Sequence, residues 1–356
     1  MGGVVQFLTE ETEKPKGEPE VGSYEHQQQM VKAIEAGEAG SEAVKSKEQP
    51  KPPKKPVPRL VVVTGGAGFI GSHLIEKLNN RGQEKILLVD DLSHPDKIKN
   101  IKDLKFQDYC DISKFQELFS FIAEKQMVES VYHLGADSNV NCEDGKHMME
   151  NNYQYTANLM DMCYMHKIPM VYASSAAVYG QQTKEWGTFD DASDDYIPDS
   201  YYALSKLQSD KYARKFMGEG PDVCKIIGLR YFNVVSEGAR EQHKGNMKSP
   251  MAWMKESYDE TGMVRLFYNS DEIYRDFVHV DPAVHMTINA MTSGRSGVYN
   301  IGTGEARSFL DLALEAVEGD EDKIQYFHMP HEMRDRYQSY TCANMDKACF
   351  GIMSRP

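Results

Sequence analysis

Residues 60–71 read LVVVTGGAGFIG, a hydrophobic run that passes directly into a glycine-rich turn. The run up to Thr64 is rich in β-branched residues, which is typical of a strand buried on both faces of a parallel sheet. Gly65, Gly68 and Gly71 follow with the spacing GxxGxxG, and an amphipathic helix is predicted from there through Leu78. A glycine-rich turn between a strand and a helix indicates a site for the pyrophosphate of a dinucleotide.

Each glycine of this turn has its own predicted role. Gly65 permits the tight turn, Gly68 lets the backbone approach a pyrophosphate, and Gly71 allows close packing of helix on strand, while free N–H groups of the helix face the anion. Asp90 ends the second predicted strand, where a carboxylate can accept hydrogen bonds from ribose hydroxyls, which favours NAD. Lys97 lies shortly downstream and can neutralise a 2′-phosphate, so NADP stays open.

The strand-and-helix pattern repeats along the chain. Further buried strands are predicted within residues 85–90, 130–136 and 169–180, with helical stretches between them. Strands that alternate with helices indicate an α/β fold of the Rossmann type, with a doubly wound parallel sheet. Asp111 lies in an Asp-Ile pair between the predicted strands of residues 85–90 and 130–136, and it suits either an adenine contact or an ordinary loop.

Three regions are predicted from changes in this pattern. Residues 1–58 are rich in Glu, Lys and Pro and are expected to form a disordered extension and linker. Residues 59–235 form the NAD(P)-binding Rossmann domain. Residues 236–356 form mainly a smaller substrate-binding portion, some of whose segments return to the Rossmann sheet.

Composition argues against several classes of protein. The 356 residues contain no run of about 20 apolar residues, as a membrane helix needs, so a cytoplasmic protein without membrane contact is expected. A formal net charge of −14 argues against a nucleic-acid partner. The six cysteines show neither a CxxC pair nor a Cys/His spacing typical of a metal site, so we expect no disulfide and no metal.

Tyr202 and Lys206 form a Tyr-x-x-x-Lys pair that places both side chains on one face of a helix. A tyrosine with a pKa near 10 is a poor base at neutral pH, but a neighbouring ammonium and a positive nicotinamide ring favour its phenolate. Tyr202 can then remove or return the proton of a sugar hydroxyl. Ser175, at the end of the strand MVYASS, is expected to hydrogen-bond the same oxygen.

Several further segments resemble the extended short-chain dehydrogenase/reductase superfamily and, within it, the ADP-L-glycero-D-manno-heptose 6-epimerase family. The resemblance runs from about Arg59 to the C-terminus, and ENNYQY and REQHKGNM are its most specific parts. The segments are HLGADSN (133–139), DGKHMMENNYQY (144–155), ASSAAVYG (173–180), LRYFNV (229–234), REQHKGNM (240–247), RDFVHV (275–280), NIGTG (300–304) and RYQ (336–338).

This resemblance implies that the protein interconverts the D-glycero and L-glycero forms of an ADP-linked heptose, a precursor of lipopolysaccharide core, by transient oxidation at C6. It implies NADP or NAD as cofactor, a nucleotide sugar as substrate and a homo-oligomer, a pentamer. It also makes Lys244 a second acid/base group, which serves the other face of the carbonyl. The implied substrate contacts are Asn233, Asn246, Trp253, Phe267, Ser270, Arg275 and Tyr337. The implied cofactor contacts are Phe69, Ile70, Asp90, Asp91, Lys97, Leu134, Gly135, Ala136, Asp137, Ser138, Asn151 and Val234.

The chain departs from the family pattern at positions that keep other functions open. Residues 233–241 are two residues longer than the family's NVYGPRE, which could shift Lys244, and Trp253 stands where a histidine is expected. A 4-epimerase for another nucleotide sugar and a cofactor-binding scaffold without turnover are therefore the alternatives. A 4,6-dehydratase is disfavoured because Ala176 and Ala177 occupy the positions of its acid-base pair.

Overall fold

A computed structural model describes residues 59–181, 189, 191–218, 224–238, 240–293, 295–331 and 338–347. The predicted extension 1–58 and the predicted substrate contact Tyr337 lie outside these residues. Within them, seven strands form one parallel sheet in the order β10-β6-β5-β4-β1-β2-β3. This order confirms the predicted doubly wound α/β fold, because the chain reverses its direction of winding between β1 and β4.

The strands of the described residues alternate with helices through most of the chain. The strands are β1 (Leu60–Thr64), β2 (Ile86–Asp90), β3 (Asp108–Asp111), β4 (Val128–His133), β5 (Met170–Ser175), β6 (Ile226–Tyr231), β7 (Asn233–Val235), β8 (Val264–Phe267), β9 (Tyr274–His279), β10 (Gly297–Ile301), β11 (Ala306–Ser308) and β12 (Ile324–Phe327). The α-helices are α1 (Phe69–Asn80), α2 (Lys97–Ile101), α3 (Ile112–Glu124), α4 (Gly145–Met148), α5 (Tyr155–Met165), α6 (Tyr201–Ala213), α7 (Pro250–Thr261), α8 (Val280–Ser293) and α9 (Phe309–Ala316).

The central strand β1 shows why its sequence is uniformly hydrophobic. Its side chains alternate between the two faces of the sheet: Val61 and Val63 join the core under α1 and α8, and Leu60 and Val62 join the core under α3 and α5. All five residues of the strand are buried. A strand covered by helices on both faces needs apolar side chains at every position.

The C-terminal part of the chain both completes the Rossmann sheet and builds a smaller lobe. Strand β10 pairs in parallel with β6 and so becomes the seventh strand. Strands β7, β9 and β11 form a three-stranded sheet, and β8 pairs with β12. These strands pack with α7 and α9 around a third hydrophobic core.

No helix among the described residues is both long and apolar enough to cross a lipid bilayer.

Candidate active site

A cavity of about 790 Å³ lies at the carboxyl ends of the parallel strands, where the sheet reverses its winding. Open α/β sheets bind ligands at this position. Its lining includes the four predicted catalytic residues and every predicted cofactor residue except Asp111. Residues from the first half of the chain and from the 233–250 region therefore meet in one site.

The glycine-rich turn leaves space for a ligand by bringing backbone close to backbone. Gly65 has a φ of +68°, and a Cβ at this position would lie 2.6 Å from the amide nitrogen of Gly135. A Cβ on Gly71 would lie 2.1 Å from the carbonyl oxygen of Gly65. Side chains are therefore excluded at both positions by contacts between the turn, the helix and the loop after β4.

The N-terminus of α1 has the features of an anion site. Gly68 precedes the helix with extended backbone angles, and no side chain caps the first turn. The residues of this turn, Phe69, Ile70 and Gly71, line the cavity. Backbone N–H groups at a helix N-terminus bind phosphate oxygens, so this turn fits the pyrophosphate of a dinucleotide.

Asp90 ends β2 beside this turn and is almost completely buried. Its carboxylate accepts hydrogen bonds from the backbone N–H groups of Ala67 (2.7 Å) and Asp91 (2.8 Å). The ammonium of Lys97 lies 2.7 Å from the same carboxylate and 2.5 Å from the carbonyl oxygen of Asp91. Asp90, the predicted acceptor for the ribose hydroxyls, and Lys97, the predicted partner of a 2′-phosphate, thus form an ion pair in the cavity wall.

Asp111 has a structural role in addition to the proposed adenine contact. It ends β3, and its carboxylate caps α3 by accepting hydrogen bonds from the N–H and the hydroxyl of Ser113. An aspartate at an N-cap satisfies helix N–H groups that otherwise have no partner. Because its carboxylate is engaged in this way and does not line the cavity, the adenine contact stays a prediction.

The loop after β4 is held by a side chain that the sequence analysis did not select. Asn152 is buried, accepts a hydrogen bond from the N–H of Asp137 (2.9 Å) and donates one to its carbonyl oxygen (2.8 Å). Asn152 lies in a π-helical segment, Met149–Gln154, and its neighbour Asn151 lines the cavity. Single π-turns within helices are frequent at functional sites.

Ser175, Tyr202 and Lys206 come together as the sequence predicts. The hydroxyl groups of Tyr202 and Ser175 share a hydrogen bond. The ammonium of Lys206 lies 5.9 Å from the centroid of the Tyr202 ring and donates a 2.8 Å hydrogen bond to the carbonyl oxygen of Ala173. The end of β5 and one face of α6 therefore form a single polar cluster.

Burial changes the protonation of this cluster. Desolvation lowers the pKa of Lys206 to about 8, and the negative charge of Asp210, one helical turn away, opposes this decrease. Burial raises the pKa of Tyr202, and the hydrogen bond from Ser175 opposes the increase. The phenolate predicted from the sequence is thus not favoured by the protein alone, and a further positive charge at the site is needed to stabilise it.

Lys244 lines the same cavity even though the preceding segment departs from the family pattern. It lies in a 3₁₀ segment, Gln242–Met247, that bends at Gly245, where φ is +53°. Its ammonium lies 4.9 Å from the centroid of the Phe69 ring and 3.3 Å from the carboxylate of Glu241. The longer 233–241 segment therefore does not carry Lys244 out of the site.

The predicted substrate contacts are only partly brought together. Asn233 lines the cavity, whereas Asn246, Trp253, Phe267, Ser270 and Arg275 do not. Trp253 and Phe267 pack against the third hydrophobic core, and the guanidinium of Arg275 donates to the carbonyl oxygens of Tyr274 (2.8 Å) and Gln338 (2.5 Å). These contacts with substrate stay predictions.

Four histidines line the cavity, His94, His133, His147 and His243, and the sequence analysis selected none of them as site residues. His94 and His243 both line the cavity, and their rings lie 6.5 Å apart. Burial, together with the charges of Lys97 and Lys244, lowers the pKa of His243 to about 4, so this ring is neutral at physiological pH. His243 belongs to the REQHKGNM segment, and the resemblance of that segment to the family was the sequence feature that could have identified this residue.

Residues 61–302 match the model of the NAD dependent epimerase/dehydratase family. The chain belongs to this family. The description of the family and the shape of the dinucleotide cradle together support a nicotinamide cofactor. Among the described residues, no group of three or more His, Cys, Asp or Glu side chains is arranged to hold a metal ion.

This epimerase/dehydratase protein is 39% identical, over 292 residues, to the ADP-L-glycero-D-manno-heptose-6-epimerase of Brachyspira hyodysenteriae, covering 81% of this chain and 90% of the relative. The crystal structure of the Helicobacter pylori enzyme of the same name matches with a TM-score of 0.68 at 27% identity, covering 82% of this chain and 88% of that one. The structure of MoeE5 in complex with UDP-glucuronic acid and NAD matches with a TM-score of 0.65 at 26% identity, covering 83% of this chain and 94% of that one.

Proposed function

We propose that this protein is a nucleotide-sugar epimerase that interconverts ADP-D-glycero- and ADP-L-glycero-D-manno-heptose at C6. The observation that carries the proposal is the presence of two separate proton-transfer groups, Tyr202 and Lys244, in the wall of one cavity that also contains a dinucleotide cradle. Heptose epimerases that cover most of the chain support the choice of sugar.

The first proton-transfer group is Tyr202. Its hydroxyl is held by Ser175, so both can hydrogen-bond the hydroxyl oxygen of the sugar carbon that reacts. The dinucleotide, when bound, supplies a hydride acceptor and donor next to this carbon. Tyr202 takes the hydroxyl proton in one direction and returns it in the other, and the positive charge of Lys206 together with that of the oxidised nicotinamide ring favours the phenolate.

The second proton-transfer group is Lys244. Inversion at a carbinol carbon requires that the carbonyl intermediate present both of its faces, so its oxygen occupies two positions in turn. One acid/base group cannot serve both positions. Lys244 approaches from the 242–247 segment, whereas Tyr202 approaches from α6, and each can protonate the oxygen in one of the two positions.

The proposed cofactor is NADP, with NAD as the alternative. Lys97 and His94 line the adenosine end of the cavity beside Asp90, and the Lys97 ammonium can pair with a 2′-phosphate. Asp90 and Asp91 favour NAD instead, because carboxylates accept hydrogen bonds from unmodified ribose hydroxyls. We further propose a cytoplasmic homo-oligomer, a pentamer, as the resemblance implies.

The direct test uses the purified full-length protein and ADP-D-glycero-β-D-manno-heptose, with no cofactor added. We expect conversion to the L-glycero epimer, resolved by chromatography, and native mass spectrometry should show a retained NADP or NAD. UDP-glucose serves as the probe for a 4-epimerase. If the protein converts UDP-glucose but not the ADP-heptose, it is a 4-epimerase and the heptose assignment is wrong. A cofactor-loaded protein that converts neither sugar would support the non-catalytic scaffold.

A further inference from the structure

Glu241 is a fully buried carboxylate in the loop that carries Lys244. One carboxylate oxygen accepts hydrogen bonds from the hydroxyl groups of Ser236 (3.0 Å) and Ser249 (2.7 Å). The other accepts from the backbone N–H of Ser249 (2.7 Å) and from the ammonium of Lys244 (3.3 Å). Four donors from three positions of the chain therefore converge on one side chain.

These hydrogen bonds close the 236–249 loop at both ends. Ser236 follows β7, and Ser249 immediately precedes α7, so Glu241 joins two elements of the smaller lobe. The backbone adds to the closure, because the N–H of Glu241 donates to the carbonyl oxygen of Gly238 (3.1 Å) and the N–H of Lys244 donates to that of Glu241 (2.9 Å). A buried carboxylate is retained only where its oxygens are well supplied with donors, as they are here.

Lys244 is the one cation within ion-pair distance of Glu241 in the described part of the chain. Its side chain is 23% exposed, and it lines the cavity with Phe69, over whose ring its ammonium lies. An ammonium has three N–H donors. One directed to Glu241 leaves the others available to the cavity, so the carboxylate can orient the ammonium without removing it from the site.

We infer that Glu241 is a positioning residue that acts through Lys244: it fixes the 236–249 loop and directs the Lys244 ammonium toward the oxygen of the carbonyl intermediate. The inference rests on the proposed role of Lys244 as the second acid/base group. It also explains how this chain tolerates its longer 233–241 segment, since Ser236, within that segment, is one of the groups that Glu241 holds.

The test is a double-mutant cycle measured on the full chain with its retained cofactor. Glu241→Gln keeps the shape of the side chain and removes its charge, and we expect kcat for epimerisation to fall about ten- to a hundredfold, with KM and cofactor occupancy nearly unchanged. Lys244→Met should remove epimerisation on its own. Adding Glu241→Gln to Lys244→Met should then cause no further loss in any residual rate or in cofactor occupancy, because the residue acts through Lys244.

Ser236→Ala provides a milder variant that leaves the charge of Glu241 in place. We expect it to lower kcat less than Glu241→Gln does, so the inference stays testable if Glu241→Gln does not fold. A loss of cofactor occupancy in either Glu241→Gln or Ser236→Ala, with kcat per loaded site unchanged, would show a merely structural role and overturn the inference. A Lys244→Met variant with full epimerase activity would instead overturn the proposed role of Lys244, and the inference with it.

Discussion

The ammonium of Lys206 donates a 2.8 Å hydrogen bond to the carbonyl oxygen of Ala173, two residues before Ser175. This bond joins α6 directly to the end of β5. Because Tyr202 lies one helical turn before Lys206, the same contact fixes the distance between the Tyr202 and Ser175 hydroxyls. The alignment of the proposed proton-transfer group therefore depends on the helix and the strand together.

Tyr202→Phe tests the role of the phenol hydroxyl. We expect turnover to fall about a hundredfold to ten-thousandfold, because the variant has no group to exchange a proton with the sugar hydroxyl, while the cofactor stays bound. Tyr201→Phe is the matched control, since Tyr201 is the adjacent residue of the same helix and is 48% exposed. Equal losses in the two variants, measured as initial rates, would contradict the assignment.

Asp210→Asn tests the electrostatic support of Lys206. The groups near Lys206 are Tyr202 and Asp210 on its own helix, His133 from β4 and the Ala173 carbonyl. Burial lowers the pKa of Lys206 to about 8, and the negative charge of Asp210 keeps it from falling further. Without this charge the pKa falls further and the ammonium is lost at lower pH. We expect the alkaline limb of kcat/KM to move down by on the order of one pH unit.

Tyr172→Phe is the control for the Asp210 variant. The Tyr172 hydroxyl donates a 2.9 Å hydrogen bond to Asp210, so its removal perturbs the same buried cluster but leaves the negative charge. Its alkaline limb should coincide with that of the unmodified protein. If both variants shift the limb equally, packing rather than charge controls Lys206.

Gly68→Ala and Gly71→Ala should separate ligand contact from folding. A Cβ on Gly68 would lie 3.1 Å from the Gly65 carbonyl oxygen, in a backbone conformation that alanine adopts, so the variant should fold and bind its cofactor about tenfold more weakly. A Cβ on Gly71 would lie 2.1 Å from the same oxygen. That variant should lose about 3 kcal/mol of stability. Thermal unfolding and cofactor titration of both variants measure these effects. A larger loss of stability in Gly68→Ala than in Gly71→Ala would contradict the prediction.

The buried ring of His133 should lower the free energy of unfolding in acid. Burial lowers its pKa from 6.5 to about 3, and the ring bridges the hydroxyl groups of Thr64 (2.6 Å) and Thr156 (2.9 Å). Below pH 6.5 His133 binds a proton in the unfolded chain, whereas in the folded chain its ring stays neutral until about pH 3. Stability should therefore decrease through this interval by about 1.4 kcal/mol per pH unit.

His133→Asn isolates this contribution from that of other histidines such as His243. The variant should be less stable at pH 7, but its free energy of unfolding should depend less on pH between 6.5 and 4. Chemical denaturation at several pH values measures both slopes. Parallel slopes in the two proteins would show that His133 does not cause the acid sensitivity.

Local patterns were sufficient to predict the sheet, the glycine-rich turn and the placement of Tyr202 beside Lys206. The hydrophobic run before Thr64, the glycine spacing after it and the Tyr202–Lys206 spacing each involve residues that are close in the chain. Their chemistry is determined by one strand, one turn or one helix face. The structure therefore places these side chains at the sites that the sequence indicates.

Contacts between distant segments could not be predicted in this way. Asn152 holds the loop after β4, and Glu241 joins Ser236 to Ser249, but neither residue type suggests its partners in the sequence. The capping role of Asp111 depends on where α3 begins. The protonation of Tyr202 depends on burial, a property of the folded chain that residue spacing does not contain.

The most direct test of the account follows the hydrogen at the reacting carbon. ADP-D-glycero-β-D-manno-heptose carrying deuterium at C6 is converted by the protein in ordinary water, and the product is examined by mass spectrometry and NMR. Transient oxidation predicts that the L-glycero epimer retains deuterium at C6, because the same hydride is removed and returned without exchange with water. Replacement of the deuterium by solvent hydrogen would contradict the account, and so would a cofactor-loaded protein that forms no epimer.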